Sequence, residues 1–100
     1  LVLYFPFDGH QLTPYQIAAL NKFIGKKKYK SITIKAYTDW NGTEKHNSSL
    51  SHRRGQEVRR TMEVTTAKIK NEYFTNCDNL NEFGEKQSYL CRKVEVVLNL

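Results

Sequence analysis

The sequence predicts an α/β two-layer sandwich in the order β-α-β-α-(β)-β, with helices packed on one face of a mixed sheet. Three observations lead there. Residues 32–37 and 92–100 alternate apolar and polar side chains, the period of a strand with one buried face. Ile17, Leu20 and Ile24 recur at three- and four-residue spacing, the period of a helix with one apolar stripe. Strand-like and helix-like runs then alternate along the chain, and that order packs helices against a sheet.

Residues 1–7, Leu-Val-Leu-Tyr-Phe-Pro-Phe, read as the first strand. Pro6 has no N–H for a ladder, so it marks the strand's exit or an edge, and Asp8-Gly9-His10 makes the turn. The first helix carries a full set of start signals. Thr13 caps it, Pro14 suits its first position, Gln16 completes a capping box, and Leu12 and Ile17 stand at staple positions. Gly25 ends it, and the lysines at 26, 27, 28 and 30 suit the negative end of its dipole. The second strand ends at Thr38-Asp39, and Trp40-Asn41-Gly42 supplies loop residues.

The second helix is expected to start near Asn47 or Ser48, with Leu50, Val58 and Met62 on its apolar face. Residues 64–85 send conflicting signals. Val64-Thr65-Thr66 is β-branched and disfavours helix, yet Met62, Thr65, Ile69 and Tyr73 keep helical spacing, which lets the helix run on. Residues 76–81 read as loop, and Phe83-Gly84 as the close of a short third strand. Val94, Val96, Leu98 and Leu100 set the buried face of the last strand.

The 100 residues make one domain with a core of its own. Because the chain opens directly in a strand-like run, we expect residues 1–100 to be a domain cut from a longer protein. No run approaches the roughly 20 apolar residues that span a bilayer. Sixteen Lys and Arg against ten Asp and Glu give a net charge of +6, which favours an anionic partner. The excess gathers in two runs, the lysines just named and Arg53, Arg54, Arg59 and Arg60; a solvated face is the ordinary explanation for such runs. Cys77 and Cys91 are too far apart for a Cys-x-x-Cys pair, and His10, His46 and His52 lack zinc-like spacing, so no metal or cofactor is expected. The two cysteines are compatible with a disulfide in an oxidising compartment and with free thiols elsewhere. No Ser or Cys sits in a nucleophile motif, and no enzyme activity is expected.

One residue breaks the pattern. At about 100° per residue, Arg54 falls between Leu50 and Val58 on the helix surface, while Arg53 points away. A guanidinium aimed at a core is costly unless paired and hydrogen-bonded. Its candidate partner is Asp39, at the end of the central strand, where ligands enter α/β sheets. Two readings stand side by side on spacing alone: an internal ion pair that fixes the loop, and a zwitterion clamp. In the clamp, Asp39 takes an ammonium and Arg54 grips a carboxylate.

Around these residues the sequence resembles the OmpA-like peptidoglycan-binding domain shared by OmpA C-terminal regions, the Pal lipoprotein and the MotB stator protein. The family's strand ending in Thr-Asp, then Gly, then Asn-x-x-Leu-Ser-x-x-Arg-Ala, is similar to Thr38-Asp39, Gly42 and Asn47-Ser48-Ser49-Leu50-Ser51-His52-Arg53-Arg54-Gly55. Its opening motif is similar to Phe7-Asp8 and Leu12-Thr13-Pro14, its late Gly-Glu to Gly84-Glu85, and its closing motif to Cys91-Arg92-Lys93-Val94-Glu95. The resemblance implies non-catalytic binding of peptidoglycan through a diaminopimelate-type stem peptide. It implies a periplasmic domain that tethers the outer membrane, or an envelope complex, to the wall; in a stator-type protein the anchor would be the inner membrane. By position the ligand-binding residues are then Asp39 and Arg54 as the clamp, with Asn47, Asp8, Thr38 and Arg92 around it. Gly55 stands where the family usually has Ala, Cys91 where it has Asn or Asp, and Lys93 where it has a second Arg.

A nucleic-acid or anionic-polymer module is the rival from another class. It would use the charge of +6, with Tyr29, Tyr37 or Trp40 as stacking groups. Against it, Asp8 and Asp39 would put negative charge at the mouth, and no known nucleic-acid motif is present. We therefore expect no nucleic acid among the partners.

Overall fold

A computed structural model describes residues 1–25, 29–38, 43–62, 68–75 and 91–100, apart from the side chain of Glu44. The elements are β1 (Val2–Tyr4), α1 (Pro14–Gly25), β2 (Ser31–Ala36), α2 (Glu44–Thr61), β3 (Lys68–Tyr73) and β4 (Lys93–Asn99). The sheet order is β1-β4-β2-β3, with β4 antiparallel to both neighbours and β3 parallel to β2. This is the predicted mixed sheet, with both helices contributing to the core on one of its faces.

β1 is shorter than its apolar run. The Phe5 N–H still reaches the Arg92 carbonyl at 2.7 Å, but Pro6 has no donor and the chain leaves the sheet there. A tight turn follows, closed by Gly9 N–H to the Pro6 carbonyl at 2.9 Å, with Asp8 in the left-handed region at φ 56°. Asp is among the few non-glycine residues that adopt this conformation with any frequency. α1 then begins as expected. Thr13 N–H donates to Gln16 Oε1 at 2.9 Å and Gln16 N–H to Thr13 Oγ1 at 3.2 Å, a reciprocal capping box. Gln16 Nε2 also donates to the Tyr4 carbonyl at 2.7 Å, tying the helix start to β1.

Two expectations need correction. α2 starts at Glu44, ahead of Asn47 and Ser48, because Thr43 is its cap: the Thr43 hydroxyl accepts from His46 N–H at 3.1 Å. The turn it opens has no apolar residue, so hydrophobic periodicity does not register it. α2 also does not run on through Ile69 and Tyr73. It stops at Thr61, Met62 turns extended with ψ 134°, and Lys68–Tyr73 forms β3. A spacing of four residues fits a strand as well as a helix, since both periods return to the same face; here Ile69 and Tyr73 pack inward from the strand. The loop expected at 76–81 and the strand expected at Phe83-Gly84 lie outside the described residues.

The core gathers Leu3, Phe5, Leu12, Leu20, Ile24, Ile32, Ile34, Ala36, Val58, Val94 and Val96. Register stacks these in rows across the sheet. Leu3, Val94, Ala36 and Tyr73 form the row at one end, and Ile32, Leu98 and Ile69 a row toward the other. The helices are also joined to each other, by Asn21 Nδ2 to the Thr61 carbonyl at 3.0 Å. Among the described residues no helix is long and apolar enough to cross a membrane.

Candidate ligand-binding site

Over the end row of the sheet, α2 comes unusually close. A Cβ on Gly55 would stand 2.9 Å from Tyr73 Cε1 and 3.3 Å from Ala36 Cβ. The glycine that costs α2 helix propensity thus lets its backbone lie on the strands. The preceding residue, Arg54, is driven into the layer beside them and is 0% exposed. Arg53 is exposed, as the helical phase predicts.

The Arg54 guanidinium is held by backbone carbonyls from two elements. Nε donates to Gly9 at 2.8 Å, Nη1 to Tyr37 at 3.1 Å and Nη2 to Pro6 at 3.4 Å, while the Phe5 ring lies 5.3 Å from the cation. This buried arginine therefore locks the turn after β1 onto the exit of β2. The guanidinium keeps its charge at any physiological pH. A carboxylate has the matching charge and planar geometry.

The other expected residues are placed unequally. Asp8 sits on the turn that Arg54 holds, about half exposed. Asn47 is buried in the first turns of α2. Thr38 is buried next to Tyr37, but its hydroxyl donates to the Thr75 carbonyl at 2.7 Å, which commits that proton to the fold. Arg92 enters β4 beside Phe5, and its Nε is buried without a hydrogen-bond partner among the described residues. Asp39 lies outside the described residues. Cys91, just before Arg92, is buried and disulfide-bonded; Cys77 lies outside the described residues.

One residue of this region was missed from sequence. His46 Nε2 lies 2.7 Å from Asp8 Oδ1, joining the start of α2 to the turn after β1. The two are 38 residues apart, so no motif links them. The available signal was phase: His46, Leu50, Arg54 and Val58 fall at four-residue steps on one helical stripe. The same turn walls an open cleft of about 430 Å³ lined by Pro6, Asp8, Gly9, His10 and Leu12.

The sequence matches a known family: the OmpA family covers residues 4–87. This chain belongs to the OmpA family. Among solved structures, it is similar to the OmpA-like domain of FopA1 from Francisella tularensis subsp. tularensis SCHU S4. They share 24% identity at a TM-score of 0.78, over 99% of this chain and 71% of that one. It is also similar to the peptidoglycan-associated lipoprotein from Burkholderia pseudomallei, at 23% identity and a TM-score of 0.72, over 96% of this chain and 87% of that one. At such identities the likeness concerns the fold. No curated protein matches the sequence. Within the OmpA family, then, this chain has an Arg54 buried on α2, with its guanidinium beside the exit of β2.

Proposed function

We propose that this OmpA-family domain binds cell-wall peptidoglycan without catalysis, through the diaminopimelate-type stem peptide. The observation that carries the reading is Arg54. It is a buried cation whose guanidinium meets the carbonyls of Pro6, Gly9 and Tyr37, and Tyr37 stands two residues before Asp39 in the sequence. A diamino acid centre offers a carboxylate to Arg54 and an ammonium to Asp39, so two side chains read both charges of one group. In this reading Asn47, Asp8, Thr38 and Arg92 supply further contacts. In Thr38 the acceptor lone pairs and backbone are the parts that would serve, because its hydroxyl proton is committed.

Two facts support the setting. One structural neighbour is described as peptidoglycan-associated. The bonded state of Cys91 suits an oxidising compartment such as the periplasm. There the domain would tether the outer membrane, or an inner-membrane complex of stator type, to the wall. Its anchor would lie in other parts of its parent protein, and other envelope proteins would be its neighbours.

Calorimetry with soluble muropeptides tests this. Charge-assisted hydrogen bonds contribute roughly 1.5–3 kcal/mol each, so Asp39→Asn or Arg54→Ala should weaken binding by about one to two orders of magnitude. Arg53→Ala should change little, because that side chain faces solvent. Unchanged affinity in both clamp variants, with the fold intact by circular dichroism, overturns the clamp. Equal losses for Arg53→Ala and Arg54→Ala, with a steep salt dependence, point instead to a diffuse basic surface that binds anionic polymers.

A further inference from the structure

We propose that His46 is a positioning residue for the site. Through its bond to Asp8 it holds the turn over Arg54, and it does so more firmly when protonated. The inference rests on the peptidoglycan reading for its ligand, but its structural half stands apart from it.

The chemistry of the contact fixes its polarity. An ionised carboxylate only accepts hydrogen bonds, so at 2.7 Å His46 Nε2 is the donor to Asp8 Oδ1. A neutral imidazole gives a hydrogen bond there; an imidazolium gives a hydrogen bond and an ion pair. His46 is itself anchored, since its backbone N–H is held by the Thr43 cap. Asp8 is the residue of the turn with positive φ, and its neighbours Pro6 and Gly9 supply two of the carbonyls on Arg54. The His46–Asp8 contact is therefore a second tie from α2 to the same turn, eight residues before Arg54 on the same stripe. One tie is buried and permanently charged. The other is open to water at 54% and 55% side-chain exposure, and its charge follows pH.

The elements that meet here carry further charged groups. The turn has Asp8 and His10, and α2 has Lys45 and Arg54, with the positive end of its dipole. Arg92 stands just before β4, and the exit of β2 leads to Asp39, outside the described residues. Asp8 is the anion in contact with the ring. A solvent-exposed pair of this kind changes an equilibrium only modestly. The firmer turn makes binding tighter as pH falls.

The test has two arms. In the free protein carrying His10→Gln, which removes the other imidazole of the turn, amide resonances of residues 8–11 are followed by NMR from about pH 8 to pH 5.5, a range in which imidazole titrates and ordinary carboxylates stay ionised. They should move with the His46 ring signals in that background and lose that transition when His46→Gln is added, whose side chain keeps an N–H donor but gains no charge. In parallel, muropeptide affinity should rise about threefold across that range, a step the size of an exposed pair. It should stay flat in His46→Gln and Asp8→Asn. A turn that ignores His46 titration, or a rise that persists in His46→Gln, overturns the inference. If the wild type binds no muropeptide at any pH, the peptidoglycan reading falls, and the first arm alone decides whether His46 holds the turn.

Discussion

The two helices cover the same face of one sheet with different material. α1 turns Leu20 and Ile24 into the core, with Ile17 and Phe23 beside them. α2 turns in Leu50 and Val58, but beside them it buries Asn47, Ser51 and Arg54. The α1 half stabilises by area, about 1.5–3 kcal/mol for each fully buried aliphatic side chain, with no demand on direction. The α2 half depends on direction: the guanidinium of Arg54 must meet three particular carbonyls on two elements. The lesson is a division of labour in a small domain. One helix supplies nonspecific cohesion, and the other spends a buried charge on holding the strand ends in one arrangement.

Breaking the directional half should have the largest effect. Arg54→Ala takes the guanidinium from the Gly9 and Tyr37 carbonyls and leaves Pro6 only the Gly9 N–H, and losses of this kind run to about 3–5 kcal/mol. Urea denaturation should show it; a loss under about 1 kcal/mol would mean that water replaces the guanidinium and the α2 half does not depend on it. Leu20→Ala should cost about 3 kcal/mol through lost transfer energy and a cavity. Muropeptide affinity, measured where the variant is folded, should stay at the wild-type value. A matching loss of affinity would erase the division between the helices.

Smaller changes sharpen it. Gly55→Ala improves helix propensity by about 1 kcal/mol but drives a methyl into Tyr73 and Ala36. Tyr73 has little freedom to yield, with His52 stacked on its ring at 3.7 Å and Gln56 Nε2 on its hydroxyl at 2.9 Å. The expected net is a loss of about 1 kcal/mol, and a gain in melting temperature would show the seam to be loose. On the α1 side, Thr13→Ala should cost about 1 kcal/mol by removing half of the capping box.

The smallest effect is alkaline. Burial first, then the Glu95 and Glu72 carboxylates, push the Tyr37 hydroxyl above the usual phenol range. The unfolded chain gives up that proton at lower pH than the folded one. This contribution is thus intact below about pH 10 and is lost as pH rises through the raised folded value. Tyr37→Phe should flatten the alkaline decline of the urea midpoint relative to wild type. Identical slopes would show that this end of β2 opens before the hydroxyl ionises.

Much of the α1 half was legible from residue order. Thr13, Pro14 and Gln16 specify a helix start through contacts within four residues, and those contacts form as read. The period-two runs of β2 and β4 gave their buried faces for the same local reason, except at Leu100, which was expected on the buried face and is 90% exposed past the end of β4. Legibility failed where the deciding partner was distant. Thr43 begins α2 without an apolar neighbour to mark it. The run containing Ile69 and Tyr73 is a strand because Lys68–Tyr73 pairs with Ser31–Ala36 in parallel register, a choice that no local propensity dictates.

The site divides in the same way. Sequence alone determined that Arg54 faces inward and Arg53 outward, because helical phase is a local property of the chain. Only the tertiary structure decided what meets it. The carbonyls of Pro6 and Gly9 arrive from a turn 45 or more residues away, and Asp8 meets His46 across 38 residues. Backbone carbonyls are common to every residue, so which of them a buried guanidinium finds depends on where the strands end in space. Charged side chains signal by type but not by distance, and the meeting of Asp8 with His46 is set by a left-handed turn on one side and a threonine cap on the other.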